Sequence, residues 1–278
     1  MKNKSIISLF LIVVLISCKS EVQDNKCGLA ENSRTINTVT KILFIGSSHT
    51  YVNDIPATIR LMAKSAGDST YIHQETPGGY TFEWQSTREA TLQGIHAGEW
   101  DFVILQGSGW QQAFPTFMAD TAIYPYVQIL IDEIHENNAD TKIVFYMTHG
   151  YEDGVLTFDD EDWCGQDPLV CDYEGMQERI KDTYIEMSDM FEAELAPAGI
   201  LWKILMTENS EIDLFGSDGI HASPEGSYLS ACTIYSTIFR KSPVGSYVPD
   251  GVSSEEAQVI QNKVYEVLFH CNPDWREH

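Results

Sequence analysis

Residues Lys41-Ile42-Leu43-Phe44-Ile45-Gly46-Ser47-Ser48-His49-Thr50 carry the pattern that decides the fold. A short apolar run, Ile42 to Ile45, stops abruptly at a Gly-Ser-Ser turn. Apolar at every position, the run reads as a strand buried on both faces, the mark of a parallel sheet covered by helices. A small polar turn directly after such a strand lies at the carboxyl edge of the sheet, where open α/β folds bind ligands. It exposes a serine hydroxyl and frees backbone N–H groups at the start of the next helix, which can stabilise a developing oxyanion. A serine N-cap with no chemical role would produce the same turn.

Outward from this strand, further β-branched runs at Asp101–Leu105, Lys142–Met147 and Gly199–Ile204 read as strands, with a weaker one at Ser69–His73. Helical patterns separate them at Ile55–Ala66, Phe82–His96, Thr121–Asn137, Tyr173–Ala196, Pro224–Phe239 and Ser254–Phe269. The clearest is Tyr173–Ala196, where Met176, Ile180, Tyr184, Met187, Phe191 and Leu195 recur at steps of four and three. Alternation of strands and helices predicts one α/β domain over residues 41–278, with a parallel sheet covered on both faces.

The composition agrees. With 43% hydrophobic and 21% charged residues over 278 positions, the chain is long and apolar enough to bury a sizeable core. Lys and Arg number 17 against 41 Asp and Glu, a net charge of −24. Such a surface repels phosphate backbones, so a nucleic-acid partner is excluded, and it disfavours peripheral attachment to anionic lipid.

The N-terminus reads as an export signal. Lys2 and Lys4 precede an apolar run from Ile6 to Ile16, shorter than the about 20 residues a membrane-spanning helix needs. It ends Leu15-Ile16-Ser17-Cys18, which resembles the lipobox of bacterial lipoproteins. The expectation is a signal peptide over 1–17, lipidation of Cys18, a polar tether over 18–40 and a bacterial cell-envelope location, anchored to the membrane through Cys18. An ordinary cleaved signal peptide is the alternative. Five other cysteines remain. Cys164 and Cys171 are the first choice for a disulfide, Cys27 and Cys271 lie near the two ends of the domain, and Cys232 reads as a buried free thiol. No pair has the tight spacing of a zinc knuckle.

A second constellation is Asp218-Gly219-Ile220-His221, followed by Ala222-Ser223-Pro224 and an apolar helix. Ser223 before Pro224 is an N-cap signal, so His221 sits on a loop just ahead of a helix. Asp218, three residues earlier, can fold back on the imidazole and fix its tautomer. An Asx-type turn with an exposed histidine is the alternative. A serine hydroxyl needs a positioned base, and the base needs an orienting group. The two constellations together supply all three.

These residues resemble the SGNH (GDSL-like) hydrolase family from about Lys41 to Phe239. The resemblance implies a three-layer α/β/α sandwich with a mostly parallel, flavodoxin-like sheet. Its first block maps to Gly46-Ser47-Ser48, making Ser48 the nucleophile, and its Asp-x-x-His block maps to Asp218 and His221. The glycine of the second block, an oxyanion N–H donor, matches Gly79, with Gly78 a close competitor. The third block departs from the family: Gly-x-Asn-Asp is replaced by Gln106-Gly107-Ser108-Gly109-Trp110. Gln106 carries the same carboxamide as the missing Asn and is the candidate substitute, with Gln111 second.

The implied activity is that of a serine esterase hydrolysing small acyl esters, acetyl above all, on carbohydrates, with no metal or organic cofactor. A lipase or lysophospholipase, an acyltransferase and a noncatalytic glycan-binding lipoprotein are the alternatives. Three other histidines compete for attention: His49 beside the nucleophile, and His73 and His149 after strands on the same rim. The acidic segment Glu152–Glu174 reads as a solvated lid rather than a calcium loop. Trp84, Trp110 and Trp163 fall on rim segments where aromatic faces suit sugar rings.

Overall fold

The computed structural model describes residues 28–31, 39–155, 162–270 and 275–276. The leader over 1–17, Cys18, most of the tether, Cys27, Cys271 and the acidic stretch 156–161 lie outside them. In chain order, β1 (Thr40–Ile45) leads into α1 (Ser48–Tyr51) and α2 (Ile55–Ser65). Next, β2 (Thr70–Glu75) is followed by α3 (Phe82–Thr87) and α4 (Glu89–His96). Then β3 (Phe102–Leu105) precedes α5 (Gly109–Gln112), α6 (Thr116–Ala122) and α7 (Tyr124–Asn137). The strand β4 (Lys142–Tyr146) precedes α8 (Trp163–Gln166) and α9 (Tyr173–Met190). Finally β5 (Glu194–Ala196) leads to α10 (Ala198–Glu208), α11 (Pro224–Phe239) and α12 (Ser254–His270).

The five strands form one parallel sheet in the order β2-β1-β3-β4-β5. Right-handed crossovers then place α2 on one face and α4, α7 and α9 on the other. The packing agrees, since α2 lies against α11 and α11 against α12, whereas α3 and α4 lie against α7. Ile42, Leu43, Phe44 and Ile45 are buried, as are Val103, Ile104 and Leu105 beside them. This is a three-layer α/β/α sandwich whose strand order reverses between β1 and β3. A crevice opens at that reversal, outside the strand ends.

Side-chain caps mark several helix starts. Asp54 accepts from the Ala57 N–H ahead of Pro56, Thr81 from Trp84, Asp172 from Gly175 and Ser223 from Gly226. The Gly226 position has no room for more. A Cβ there would stand 2.3 Å from the Leu214 carbonyl oxygen and 2.4 Å from the Trp202 ring. Gly226→Ala is therefore expected to lower the unfolding free energy by about 1–3 kcal/mol. Urea titration checks this, and an unchanged midpoint would mean that α11 docks less closely.

Several element boundaries differ from the sequence expectation; the predicted helix Thr121–Asn137, for one, begins at Tyr124, because Thr121 and Ala122 end α6. Gly199–Ile204 is helical, inside α10, not a strand. Ile200, Leu201, Trp202 and Leu205 are all buried, and a short continuous apolar run such as Ile200–Trp202 has no period by which helix and strand can be told apart. The predicted helix Tyr173–Ala196 ends at Met190; Glu192 takes a left-handed φ of 49° and the chain re-emerges as β5. The predicted helix Phe82–His96 is two helices, broken where Arg88 is extended. Cys164 and Cys171 are disulfide-bonded, and Cys232 is free and buried.

Candidate active site

The turn after β1 is built by buried hydrogen bonds. Gln85 donates to the Gly46 carbonyl at 2.6 Å, and the Gly46 N–H donates to the Glu75 carbonyl at 3.1 Å. Gln106 lies directly beneath. Its Oε1 accepts from the Ser47 N–H at 2.8 Å and from the Thr50 hydroxyl at 2.8 Å. Its Nε2 donates to Ser47 Oγ at 3.0 Å and to the Gly107 carbonyl. A Cβ at Gly46 would meet Gln106 Oε1 at 2.6 Å, which explains the glycine. Ser48 emerges from this clamp as the first residue of α1.

The loop ahead of α11 brings Asp218 and His221. Its hairpin is closed by the Gly216 N–H to the His221 carbonyl at 2.7 Å, with Gly219 in the left-handed region at φ 66°. Asp218 Oδ1 accepts from the backbone N–H groups of Ile220 and His221, at 3.0 and 2.9 Å. Its Oδ2 lies 2.7 Å from His221 Nδ1. With Nδ1–H donating to the carboxylate, Nε2 is left as an acceptor, and it lies 2.8 Å from Ser48 Oγ. The hydrogen bonds from His221 hold Asp218 well below the usual carboxylate range, against a smaller opposing effect of burial. The structure thus brings Ser48, His221 and Asp218 into one hydrogen-bonded chain.

Two further residues fix the distance between these halves. Asn53, in the left-handed region at φ 55°, donates from Nδ2 to the Ala222 carbonyl at 3.0 Å and to Ser227 Oγ at 2.9 Å. His149 stacks on Trp202 with ring centroids 3.8 Å apart and bonds the Ile220 carbonyl through Nε2 at 3.0 Å. His149 is buried beneath the loop, not on the rim, where the sequence suggested it. His73 also leaves the site: it sits within β2, 3.0 Å from Glu75.

The crevice is a cavity of about 340 Å³ lined by Ser48, Gly79, Ser108, Trp110, Tyr51 and His221, among others. Gly79 lines the cavity, as does its neighbour Gly78. Gln106 does not: both ends of its carboxamide are committed behind the turn, and it does not reach the cavity. Gln111 is no substitute, since it donates to the Ala122 carbonyl at 3.0 Å. In this segment Ser108 lines the cavity, with Gly109 and Trp110. It is 3% exposed, and its hydroxyl has no hydrogen-bond partner among the described residues. Sequence reasoning looked for a carboxamide and passed over this serine two residues further on. Of the tryptophans, Trp110 lines the cavity. Trp84 is exposed on α3, packing edge-on to Tyr80, and the Trp163 side chain lies outside the described residues.

Burial shapes the titration of the neighbouring histidines. It pushes His149 down to about 4 and His49 well below its ordinary value of 6.5. In the unfolded chain His149 takes up a proton near pH 6.5, while in the folded chain it stays neutral until about pH 4. Stability is therefore full above pH 6.5 and falls as the pH drops from there to about 4, by about 3 kcal/mol from His149 alone. Urea unfolding at intervals between pH 7 and 4 checks this. His149→Phe should flatten the slope.

No protein-family model and no curated protein matches the sequence. Solved structures match in fold. A DUF4886 family protein from Bacteroides uniformis superposes with a TM-score of 0.67 over 83% of this chain and 95% of its own, at 16% identity. A candidate SGNH hydrolase from Slackia heliotrinireducens gives 0.55 over 72% of this chain and 100% of its own, at 22% identity. A candidate GDSL-like lipase from Parabacteroides merdae gives 0.51 over 77% and 99%, at 16% identity. The fold of this chain is that of the SGNH hydrolases.

Proposed function

We propose that this chain is a serine esterase acting on short acyl esters of carbohydrates, exported and anchored through a lipid on Cys18. The observation that carries the reading is the hydrogen-bonded chain from Ser48 through His221 to Asp218, opening on a cavity at the strand-order reversal. In this mechanism Ser48 Oγ attacks the ester carbonyl while His221 Nε2 accepts its proton, and Asp218 stabilises the imidazolium. The backbone N–H groups of Ser48 and Gly79 hold the oxyanion, with the Ser108 hydroxyl in the role the sequence had suggested for Gln106. His221 then protonates the leaving alcohol, and water releases the acyl group by the same route in reverse.

A carbohydrate alcohol is favoured by the aromatic rim. Tyr51 is 45% exposed at the cavity mouth, Trp110 lines it, and Trp84 is 52% exposed nearby in sequence to Gly79. Flat apolar faces suit the faces of sugar rings. The test is covalent labelling by a fluorophosphonate, followed by acetate release from a panel of acetylated glycans. Labelling at Ser48 with release from at least one glycan supports the reading. Absence of labelling would leave Ser48 an inert turn residue and sink it. Labelling without release from any glycan would keep the esterase and remove the carbohydrate.

A further inference from the structure

His49 has no role in the mechanism above, yet it lines the same cavity and is only 5% exposed. Among the described residues its buried Nδ1 has no hydrogen-bond partner, and none bonds its Nε2, which faces Gly109. The ring is walled in by other aromatics. His149 lies 5.2 Å away, His221 5.6 Å and Tyr151 6.1 Å, centroid to centroid. A buried imidazole without partners is destabilising, so its presence next to a nucleophile calls for an explanation.

The geometry around Nε2 supplies one. Gly109 sits against it so closely that a Cβ there would approach Nε2 to 3.1 Å. Gly109 also lines the cavity, and its backbone N–H donates to nothing among the described residues. Burial keeps His49 neutral, so one ring nitrogen is an acceptor and the other a donor. Taken together, an imidazole nitrogen and a backbone N–H offer complementary hydrogen-bonding capacity on one wall. A hydroxyl, which both donates and accepts, matches that pair. A carboxylate only accepts and is disfavoured further by the chain's net charge of −24. An ammonium only donates.

We propose that His49 and Gly109 form a subsite for a free hydroxyl adjacent to the scissile ester, so that the preferred substrate is a partly acylated vicinal diol. This rests on the esterase reading and narrows it: esters whose neighbouring hydroxyl is free are selected over simple or fully acylated ones. A site built to bond a hydroxyl rejects substrates lacking it, because its own buried groups are then left unpaired.

The experiment compares kcat/KM for a mono-O-acetyl pyranoside carrying a free neighbouring hydroxyl with that for phenyl acetate, in the wild type and in His49→Phe. Phenylalanine keeps the ring shape and removes both nitrogens. The ratio of the two constants is expected to fall about 10- to 100-fold, with thermal stability equal to the wild type or higher. His49→Gln, which retains a donor and an acceptor, is expected to recover part of the ratio. A ratio unchanged in His49→Phe, whether both rates fall together or neither moves, would overturn the subsite. If wild-type protein neither turns over phenyl acetate nor takes up a fluorophosphonate, the esterase reading fails instead, and the two failures are told apart.

Discussion

Ser48→Ala is expected to lower kcat by about 10⁶-fold and to abolish fluorophosphonate labelling, while the protein keeps its melting temperature within a few degrees. The size follows from the site's construction. Ser48 Oγ is the only described side-chain group bonded to His221 Nε2, at 2.8 Å, so its loss leaves the base with no nucleophile to activate. The fold survives because the turn is held from behind by Gln106, Gln85 and Thr50 and not by the Ser48 hydroxyl. Alanine also fits the first position of a helix well. Circular dichroism and a thermal scan, run beside the ester assay, separate loss of chemistry from loss of structure. Release at the wild-type rate would remove Ser48 from the mechanism.

The second large effect is expected at Asp218. Asp218→Asn should cut kcat/KM by about 10³–10⁴-fold, although the side chain is half exposed. The carboxylate accepts from Nδ1–H at 2.7 Å and from two backbone N–H groups. An amide whose oxygen stays on those backbone groups turns its NH₂ toward Nδ1, which must then give up its proton. The proton moves to Nε2, the nitrogen that faces Ser48, and the base can no longer accept. Solvent around Asp218 does not repair this, because the fault is one of tautomer and not of charge. Asp218→Glu offers a contrast, since it keeps the charge while displacing it. Full activity in Asp218→Asn would show that the backbone alone orients His221.

Much of the architecture is legible from local patterns, for identifiable reasons. The four residues Ile42 to Ile45 announce a doubly buried strand because nothing polar interrupts them, and the Gly-Ser-Ser turn ends it without ambiguity. Asp218 and His221 lie three residues apart, so their pairing needs only a turn, and turn chemistry is local. Their meeting with Ser48 is long-range and came from the chemistry a serine requires, not from spacing. The helix at Ala198–Glu208 reads locally as a strand because its first half, Ala198 to Trp202, is buried throughout and shows no helical period. The misplacement of Gln106 has a different cause. Where a side chain points after a strand depends on the path of the loop. Here that path is set partly by a distant partner, Tyr184, whose hydroxyl accepts from the Gly107 N–H at 3.1 Å, and partly by Gln112 in the next helix, which would lie 2.2 Å from a Cβ on Gly107. Tyr184 is near Gln106 in no pattern a sequence displays. Asn53 was missed for the same reason, since its partners Ala222 and Ser227 come from the far end of the domain.

The separation of Ser48 and His221 by 173 positions has a consequence in time as well as in space. During synthesis the serine is made early and, as an unpaired alcohol, is as unreactive as any other. On the esterase reading it becomes reactive only after the segment from Asp218 to His221 has been made, the β-bridge between Phe215 and Ala222 has closed and Asn53 has bonded Ala222 and Ser227. On that reading a nascent or half-folded chain is expected to carry no hydrolytic activity. Fluorophosphonate uptake, sampled during refolding, would accordingly serve as a clock that starts only when the segment from Asp218 to His221 has docked against Ser48.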